Sequence, residues 1–379
     1  MSAPLGSLST EQFIEQYWQK QPCLIRQAIS GFEAMLDGDE LAGLACEEMA
    51  ESRLVKGTFE AADWTLTHGP FSEADFANLS NENWTLLVQD VEKHYAPLQE
   101  LVRQFNFIPQ WRLDDLMISY AATGGSVGPH IDQYDVFLLQ AEGTRRWQIA
   151  SSFEPELLKE CPLNVLKHFT PEQEWVLEPG DMLYLPPNIA HHGVALEPGM
   201  TWSIGSRAPS AADLLQGLGE WLAFSDNEGG RYTDPDLKPI TRAGEIDRES
   251  LKSLRKLMLT GIDASQNLDN YLAAFLSRFR LAHDPMPPPR PIKPENLLEA
   301  LHQGTGLLRN PWTRLTWTEN KQGARLYAAG QAYDCSLEVA ESLCKSEQPQ
   351  ISADILDQAA LETLTKLVNN GHFLLTNEG

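Results

Sequence analysis

The sequence predicts an α+β protein: a β-barrel or sandwich first, a helical region next, and a small winged-helix-like unit last. Three observations carry this. Between about 111 and 207, DDLMISYAA, YDVFLLQ, RRWQIAS, EWVLEPGDMLYLP and GMTWSIGSRA are short, rich in β-formers and bounded by Gly, Pro or Asp. Strands so spaced, with no long helix between them, close into a barrel or sandwich. From 209 the apolar period becomes helical. Beyond the stiff, Pro-rich DPMPPPRPIKP at 284–294 come a helix, two strands, two helices and a terminal strand, a winged-helix-like order.

Each element has a local signal. STEQFIEQYWQKQPCLIR opens on a helix that Ser9 or Thr10 can cap, with Phe13, Tyr17 and Trp18 at helical spacing. Pro22 stops it, and CLIR reads as a strand. Residues 1–95 are otherwise mixed. Glu178-Pro179-Gly180-Asp181 is a tight turn joining two strands. Ser210 can cap AADLLQGLGEWLAF. A helix near 247–260 carries Leu251, Leu254 and Met258 on one face. Another, near 265–280, has a wide apolar stripe of Leu268, Tyr271, Leu272, Phe275, Leu276 and Phe279. That stripe packs within the chain or against a second copy, and the dimer is favoured.

Composition narrows the function. The formal net charge of −24 repels free nucleic acid and either attracts a basic protein partner or serves solubility alone, and the C-terminal unit has no basic stripe, so no direct DNA binding is expected. No apolar run reaches the roughly 18 residues of a membrane span. The start, MSAPLGSLSTEQF, has neither the charged nor the apolar part of a signal peptide. These features predict a cytoplasmic protein. Five scattered cysteines without C-x-x-C argue against a disulfide framework or structural zinc.

Chemistry concentrates in GGSVGPHIDQYDVFLLQ at 124–140 and EPGDMLYLPPNIAHHG at 178–193. The first presents His130 and Asp132, which point to one face of an extended backbone. The second presents His191 or His192, whose side chains must face opposite ways. Its spacing, G-x5-P-x-N-x2-H, resembles the second motif of cupin barrels, with Asn188 where glycine is usual; this register selects His191. Two histidines and one carboxylate form the facial triad of non-haem Fe(II) oxygenases, but catalytic zinc uses the same ligand types. Arg145 tips the balance toward iron. On a strand it shares a face with Trp147 and Ile149, which points that face inward, where its fork can take the distal carboxylate of an α-keto acid; the alternative is a surface pair with Arg146 beside an edge strand. Ser119 could share that carboxylate or bond its own backbone.

With these segments, the chain resembles the JmjC-type 2-oxoglutarate oxygenases, and more closely the bacterial ribosomal oxygenases that hydroxylate an arginine of a large-subunit ribosomal protein. YWQKQPCLIR, WRLDDLMISYAATGGSVGPHIDQYDVFLLQ, RRWQI and LEPGDMLYLPPNIAHHGVALE carry the resemblance. It implies a double-stranded β-helix (the cupin or jelly-roll JmjC barrel) within an oxygenase domain at 1–208, its core at about 95–208. A helical dimerisation region at 209–283, the linker at 284–294 and a winged-helix-like domain at 295–379 follow. It implies iron ligands at His130, Asp132 and His191 and 2-oxoglutarate contacts at Arg145 and Ser119. Thr201 departs from the expected Asn. The implied reaction uses Fe(II), 2-oxoglutarate and O2 to hydroxylate the β-carbon of an arginine in a basic 50S ribosomal protein. Histidine hydroxylation, demethylation, small-molecule cupin chemistry and a metal-retaining binding module are the rivals. Asp115, Tyr134 and Asp135 are placed near the mouth, where they could contact a guanidinium or serve structure.

Overall fold

Ser9 starts the first helix, α1 (Thr10–Gln16): its hydroxyl accepts the Gln12 amide while the Gln12 side chain accepts the Ser9 amide. The computed structural model describes residues 3–224, 230–237, 239, 242–263, 268–353 and 356–376. These fall into two compact units, Met1–Ala208 and Pro209–Gly379.

The first unit continues with β1 (Cys23–Ile25), α2 (Gly38–Leu44), β2 (Ser52–Lys56), β3 (Thr65–His68) and α3 (Glu73–Ala77). Then come β4 (Trp84–Val88), α4 (Val91–His94), α5 (Pro97–Arg103) and the long β5 (Leu113–Ala121). The strands β6 (His130–Ile131), β7 (Asp135–Gln140), β8 (Arg145–Ala150), β9 (Gln173–Leu177), β10 (Met182–Leu185), β11 (Ala190–Ala195) and β12 (Gly199–Ser206) complete it. Two antiparallel sheets result. The larger has the order β1-β10-β7-β12-β5-β4-β2-β3 and the smaller β6-β11-β8-β9.

Side-chain alternation decides what lies between them. Phe137 and Leu139 of β7, Tyr184 of β10 and Trp202 of β12 point away from the small sheet. They pack with Phe13 from α1 and Phe105 from the turn after α5, ring centroids 4.9–5.5 Å apart where Phe13, Phe105, Tyr184 and Phe137 meet. Each such burial stabilises by about 1.5–3 kcal/mol. The alternate residues Val136, Leu138, Leu183 and Leu185 meet Trp147, Ile149 and Leu177 of the small sheet. Strands buried on both faces read as continuous apolar runs. The sheets join through the expected turn: the Asp181 amide donates to Glu178 at 2.9 Å, and Gly180 at φ +90° occupies the left-handed position. Asp181 is then buried, where it accepts from the Gln27 amide and the Arg26 guanidinium.

The second unit begins with α6 (Ala211–Phe224), α7 (Arg248–Asp263) and α8 (Leu268–Arg278). Residues 265–267, part of the third expected helix, lie outside the described residues. Ser210 caps α6 through the Asp213 amide. The α8 stripe is used within the unit. Tyr271 packs on Trp221 and Phe275 and donates to the Leu214 carbonyl. α7 instead leaves Leu251, Leu254, Met258 and Leu259 exposed. The chain continues with α9 (Pro294–His302), β13 (Gly306–Arg309), β14 (Leu315–Asn320), β15 (Gly323–Ala328) and β16 (Gln331–Cys335). It ends on α10 (Leu337–Lys345), α11 (Gln358–Asn369) and β17 (Phe373–Thr376). A three-stranded sheet, β14-β15-β16, and a β13-β17 pair surround a core of Leu297, Leu326, Leu343, Leu364 and Phe373. Among the described residues no helix is long and apolar enough to cross a membrane.

His372 is sealed in this second core, its Nδ1 3.2 Å from the Thr313 hydroxyl. Burial holds its pKa down to about 4, against about 6.5 in the unfolded chain. Between these values the unfolded chain binds more protons. Stability is therefore full above about pH 6.5 and erodes as pH falls toward 4. Urea unfolding at pH 7 and pH 5 should show a larger loss for wild type than for His372→Gln. Equal losses would mean that His372 is not the titrating group.

Candidate metal centre and its cavity

β6 and β11 place two imidazoles opposite each other. His130 and His191 are register partners, with ring centroids 4.2 Å apart. Their Nδ1 atoms lie 2.9 and 3.0 Å from the carbonyls of Gly128 and Ile189. A carbonyl only accepts, so each Nδ1 carries the proton and each Nε2 keeps its lone pair. Both lone pairs face Asp132: His130 Nε2 is 3.9 Å and His191 Nε2 3.6 Å from Asp132 Oδ2. All three donor atoms lie within 4.8 Å of one another. Burial, then the neighbouring His130, lowers the His191 pKa to about 4, which keeps it neutral as a ligand must be. The Asn188 amide donates to the Asp132 carbonyl at 2.9 Å and ties the β6 end to the loop before β11. Asn188 sits at φ +66°, the left-handed conformation for which glycine is usual at this position and which Asn tolerates.

His192 points the other way. It is 7% exposed, held between the rings of Phe59 and Phe169, and burial lowers its pKa to about 4. It does not face solvent, because the loops carrying these phenylalanines close over the strand.

The histidines open onto a cavity of about 280 Å³ between the sheets. Arg145 lies in its wall, 4% exposed, with its guanidinium 5.1 Å from the Trp147 ring. Its Nη2 donates to the Gly193 carbonyl at 3.2 Å, while its buried Nε has no partner. No carboxylate pairs with it among the described residues. Burial lowers its pKa to about 10, so it stays charged at neutral pH. Gly193 makes room for it: a Cβ there would stand 2.6 Å from the Trp147 ring and 2.8 Å from Arg145 Nε. An unpaired cation this deep is costly without an anion, and a carboxylate-bearing ligand matches the need. Ser119 and Thr201 line the same cavity as register partners. The Ser119 hydroxyl donates to the Thr201 carbonyl at 3.3 Å, and the Thr201 hydroxyl donates to Gln140 Oε1 at 3.0 Å.

Asp135 does not lie at the mouth. It is fully buried and accepts from Tyr184 at 2.6 Å, Gln19 at 2.9 Å and Arg112 at 2.9 Å, so it fastens β7 to β10 and the N-terminal segment. Tyr134 lines the cavity, its phenol held protonated by burial and by Asp132, and its ring carries the Arg207 guanidinium at 4.1 Å. Arg207 is ion-paired to Asp114. Asp115 is pushed up to about 8 by burial, with Asp114 adding to the rise.

Sequence reasoning missed Arg53, which also lines the cavity. A usable signal was present. In SRLVK, strand alternation puts Arg53 on one face with Val55, and both residues line the wall.

Comparison with known proteins agrees with this architecture. Residues 100–214 match the JmjC domain and residues 256–373 the ROXA-like winged helix. The chain is 35% identical over 374 residues to the ribosomal protein uL16 3-hydroxylase of Escherichia coli, covering 97% of this chain and 98% of that protein. It is 32% identical over 411 residues to a probable ribosomal oxygenase of Haemophilus influenzae, covering 97% and 96%. The solved structure of YcfD, a ribosomal oxygenase from Escherichia coli in complex with cobalt and 2-oxoglutarate, superposes with a TM-score of 0.83 at 34% identity. It covers 98% of this chain and 99% of that one. A JmjC barrel with two histidines and a carboxylate, beside a buried arginine that no carboxylate pairs among the described residues, defines a 2-oxoglutarate-dependent oxygenase. The chain belongs to the JmjC ribosomal oxygenases.

Proposed function

We propose that the chain is an Fe(II)- and 2-oxoglutarate-dependent oxygenase that hydroxylates the β-carbon of an arginine in ribosomal protein uL16 of the large subunit. The observation that carries this is the convergence of two Nε2 lone pairs and the Asp132 carboxylate on one cavity that also holds an unneutralised Arg145. The uL16 substrate is that of the Escherichia coli relative. With Fe(II), 2-oxoglutarate and O2 bound, such a site converts an unactivated C–H bond to C–OH and releases succinate and CO2.

The chain's residues then have distinct tasks. His130, Asp132 and His191 hold the ion on one side and leave the other open. The carbonyls of Gly128 and Ile189 fix both ring orientations through Nδ1. Arg145, with Ser119 beside the opposite wall, takes the distal carboxylate of the keto acid. Val136, Leu138 and Trp147 keep the chamber dry. The net charge of −24 favours encounter with a basic ribosomal protein in the cytoplasm. The test is formation of succinate together with a hydroxylated arginine when the iron-loaded protein meets uL16.

The exposed apolar face of α7 supports a homodimer, a second copy covering Leu251, Leu254, Met258 and Leu259. Sedimentation should give a dimer for wild type and a monomer for Leu254→Glu/Met258→Glu. A monomeric wild type would rule this out.

A further inference from the structure

Arg53 belongs to a row that runs straight across the large sheet. Register pairs it with His68 on one side and Leu87 on the other; Leu87 pairs with Ser119, Ser119 with Thr201, and Thr201 with Gln140. Register partners share a face. Arg53, Leu87, Ser119 and Thr201 all line the metal cavity. Arg53 stands two strand spacings from Ser119, about 10 Å between backbones, a gap that arginine's long stem largely crosses.

Its surroundings lack an anion. The near wall is Val55, Leu66, Thr85, Leu87 and Met117. Arg53 Nε is buried without a hydrogen bond, and among the described residues neither a carboxylate nor a carbonyl takes its guanidinium. Elsewhere the terminal nitrogens of enclosed arginines have acceptors: Arg112 Nη2 pairs with Asp135, and Arg309 Nη2 donates to the carbonyls of Leu343 and Ser346. Arg53 and Arg145 are the two guanidiniums of the cavity, and neither has a carboxylate. Asp132, the one carboxylate in the lining, faces the histidines. A chamber built this way selects a ligand with two negative charges.

We propose that Arg53 is a second anion anchor of this cavity, which captures and retains the dicarboxylate cosubstrate and its dicarboxylate product. This rests on the 2-oxoglutarate reading above. Arg145 grips from the small sheet, and Arg53 attracts from the far end of the Ser119 row. Its fork suits carboxylate, and among the described residues no side chain accepts a hydrogen bond from it.

The test is titration of 2-oxoglutarate and of succinate into the full-length protein loaded with Mn(II), for wild type, Arg53→Met, Arg53→Lys and Arg145→Met. Arg53→Met should weaken both ligands about 10- to 100-fold, the loss of a hydrogen bond to a charged group. Arg53→Lys should recover part of that. Mn(II) affinity without dicarboxylate and the thermal midpoint of the metal-free protein should stay at wild-type values for Arg53→Lys. If Arg53→Met or, should that variant not fold, Arg53→Lys binds both dicarboxylates as wild type does while Arg145→Met is impaired, the second anchor is refuted and the cosubstrate reading stands. If wild type itself binds neither dicarboxylate, the reading beneath it fails as well.

Discussion

Asp132→Ala is expected to abolish 2-oxoglutarate turnover while leaving the fold intact. Asp132 supplies the only negative charge among the three converging donors. Without it, a divalent ion would rest on two neutral imidazoles, one of them, His191, held neutral by burial. Altering a residue that merely supports a ligand costs about 10- to 100-fold in affinity or activity, so losing a ligand should exceed about 100-fold. The fold has little at stake. The backbone bond from Asn188 to the Asp132 carbonyl persists in the variant, and the half-buried carboxylate's neighbours are the histidines and the Tyr134 phenol. Metal-free stability should change by about 1 kcal/mol or less. Titration with Mn(II), paired with a thermal melt, separates the two effects. Wild-type metal affinity in the variant would refute the ligand assignment.

Arg145→Met should produce the second large effect, and on a different quantity. Truncating one partner of a buried, hydrogen-bonded charge pair costs about 2–5 kcal/mol, which is about 30-fold to several thousand-fold in Kd at 1.4 kcal/mol per tenfold. The loss should appear in 2-oxoglutarate affinity, with Mn(II) affinity unchanged. Metal-free stability should hold or rise. Wild-type Arg145 is 4% exposed and has no carboxylate partner among the described residues, and an apolar side chain of similar length removes that desolvation cost. Arg145→Lys keeps the charge but not the fork, so it should restore little. A variant that binds 2-oxoglutarate normally, or that melts well below wild type, would contradict this role.

Much of the site is legible in the sequence because it is written in strand periodicity. H-x-D on an extended backbone puts His130 and Asp132 on one face. The same alternation separates His191 from His192, and Arg145 from Arg146. These inferences need only local geometry, and the barrel strands around 111–207 are regular enough to support them. Contacts made across long sequence distances were not legible. The sequence places Asp135 near the mouth, to contact a guanidinium or to serve structure, yet its partners Gln19, Arg112 and Tyr184 come from three distant segments. Arg53 lay in a stretch read only as mixed, although β2, β3 and β4 extend the large sheet and carry the cavity wall outward. The helical region shows the same limit. The wide stripe of α8 and the face of α7 look alike as apolar patterns. Packing against Trp221 and the Leu214 carbonyl closes the α8 stripe around Tyr271, and no sequence period reports that.

Oxygen transfer to an arginine of uL16 can be followed in a single reaction. The full-length protein is incubated with Fe(II), 2-oxoglutarate, O2 and ribosomal protein uL16, succinate is quantified, and uL16 is mapped by mass spectrometry. The expected result is one added oxygen on a single arginine, in step with succinate and absent with Asp132→Ala. Unmodified arginines in uL16, from protein that binds metal and 2-oxoglutarate normally, would contradict it.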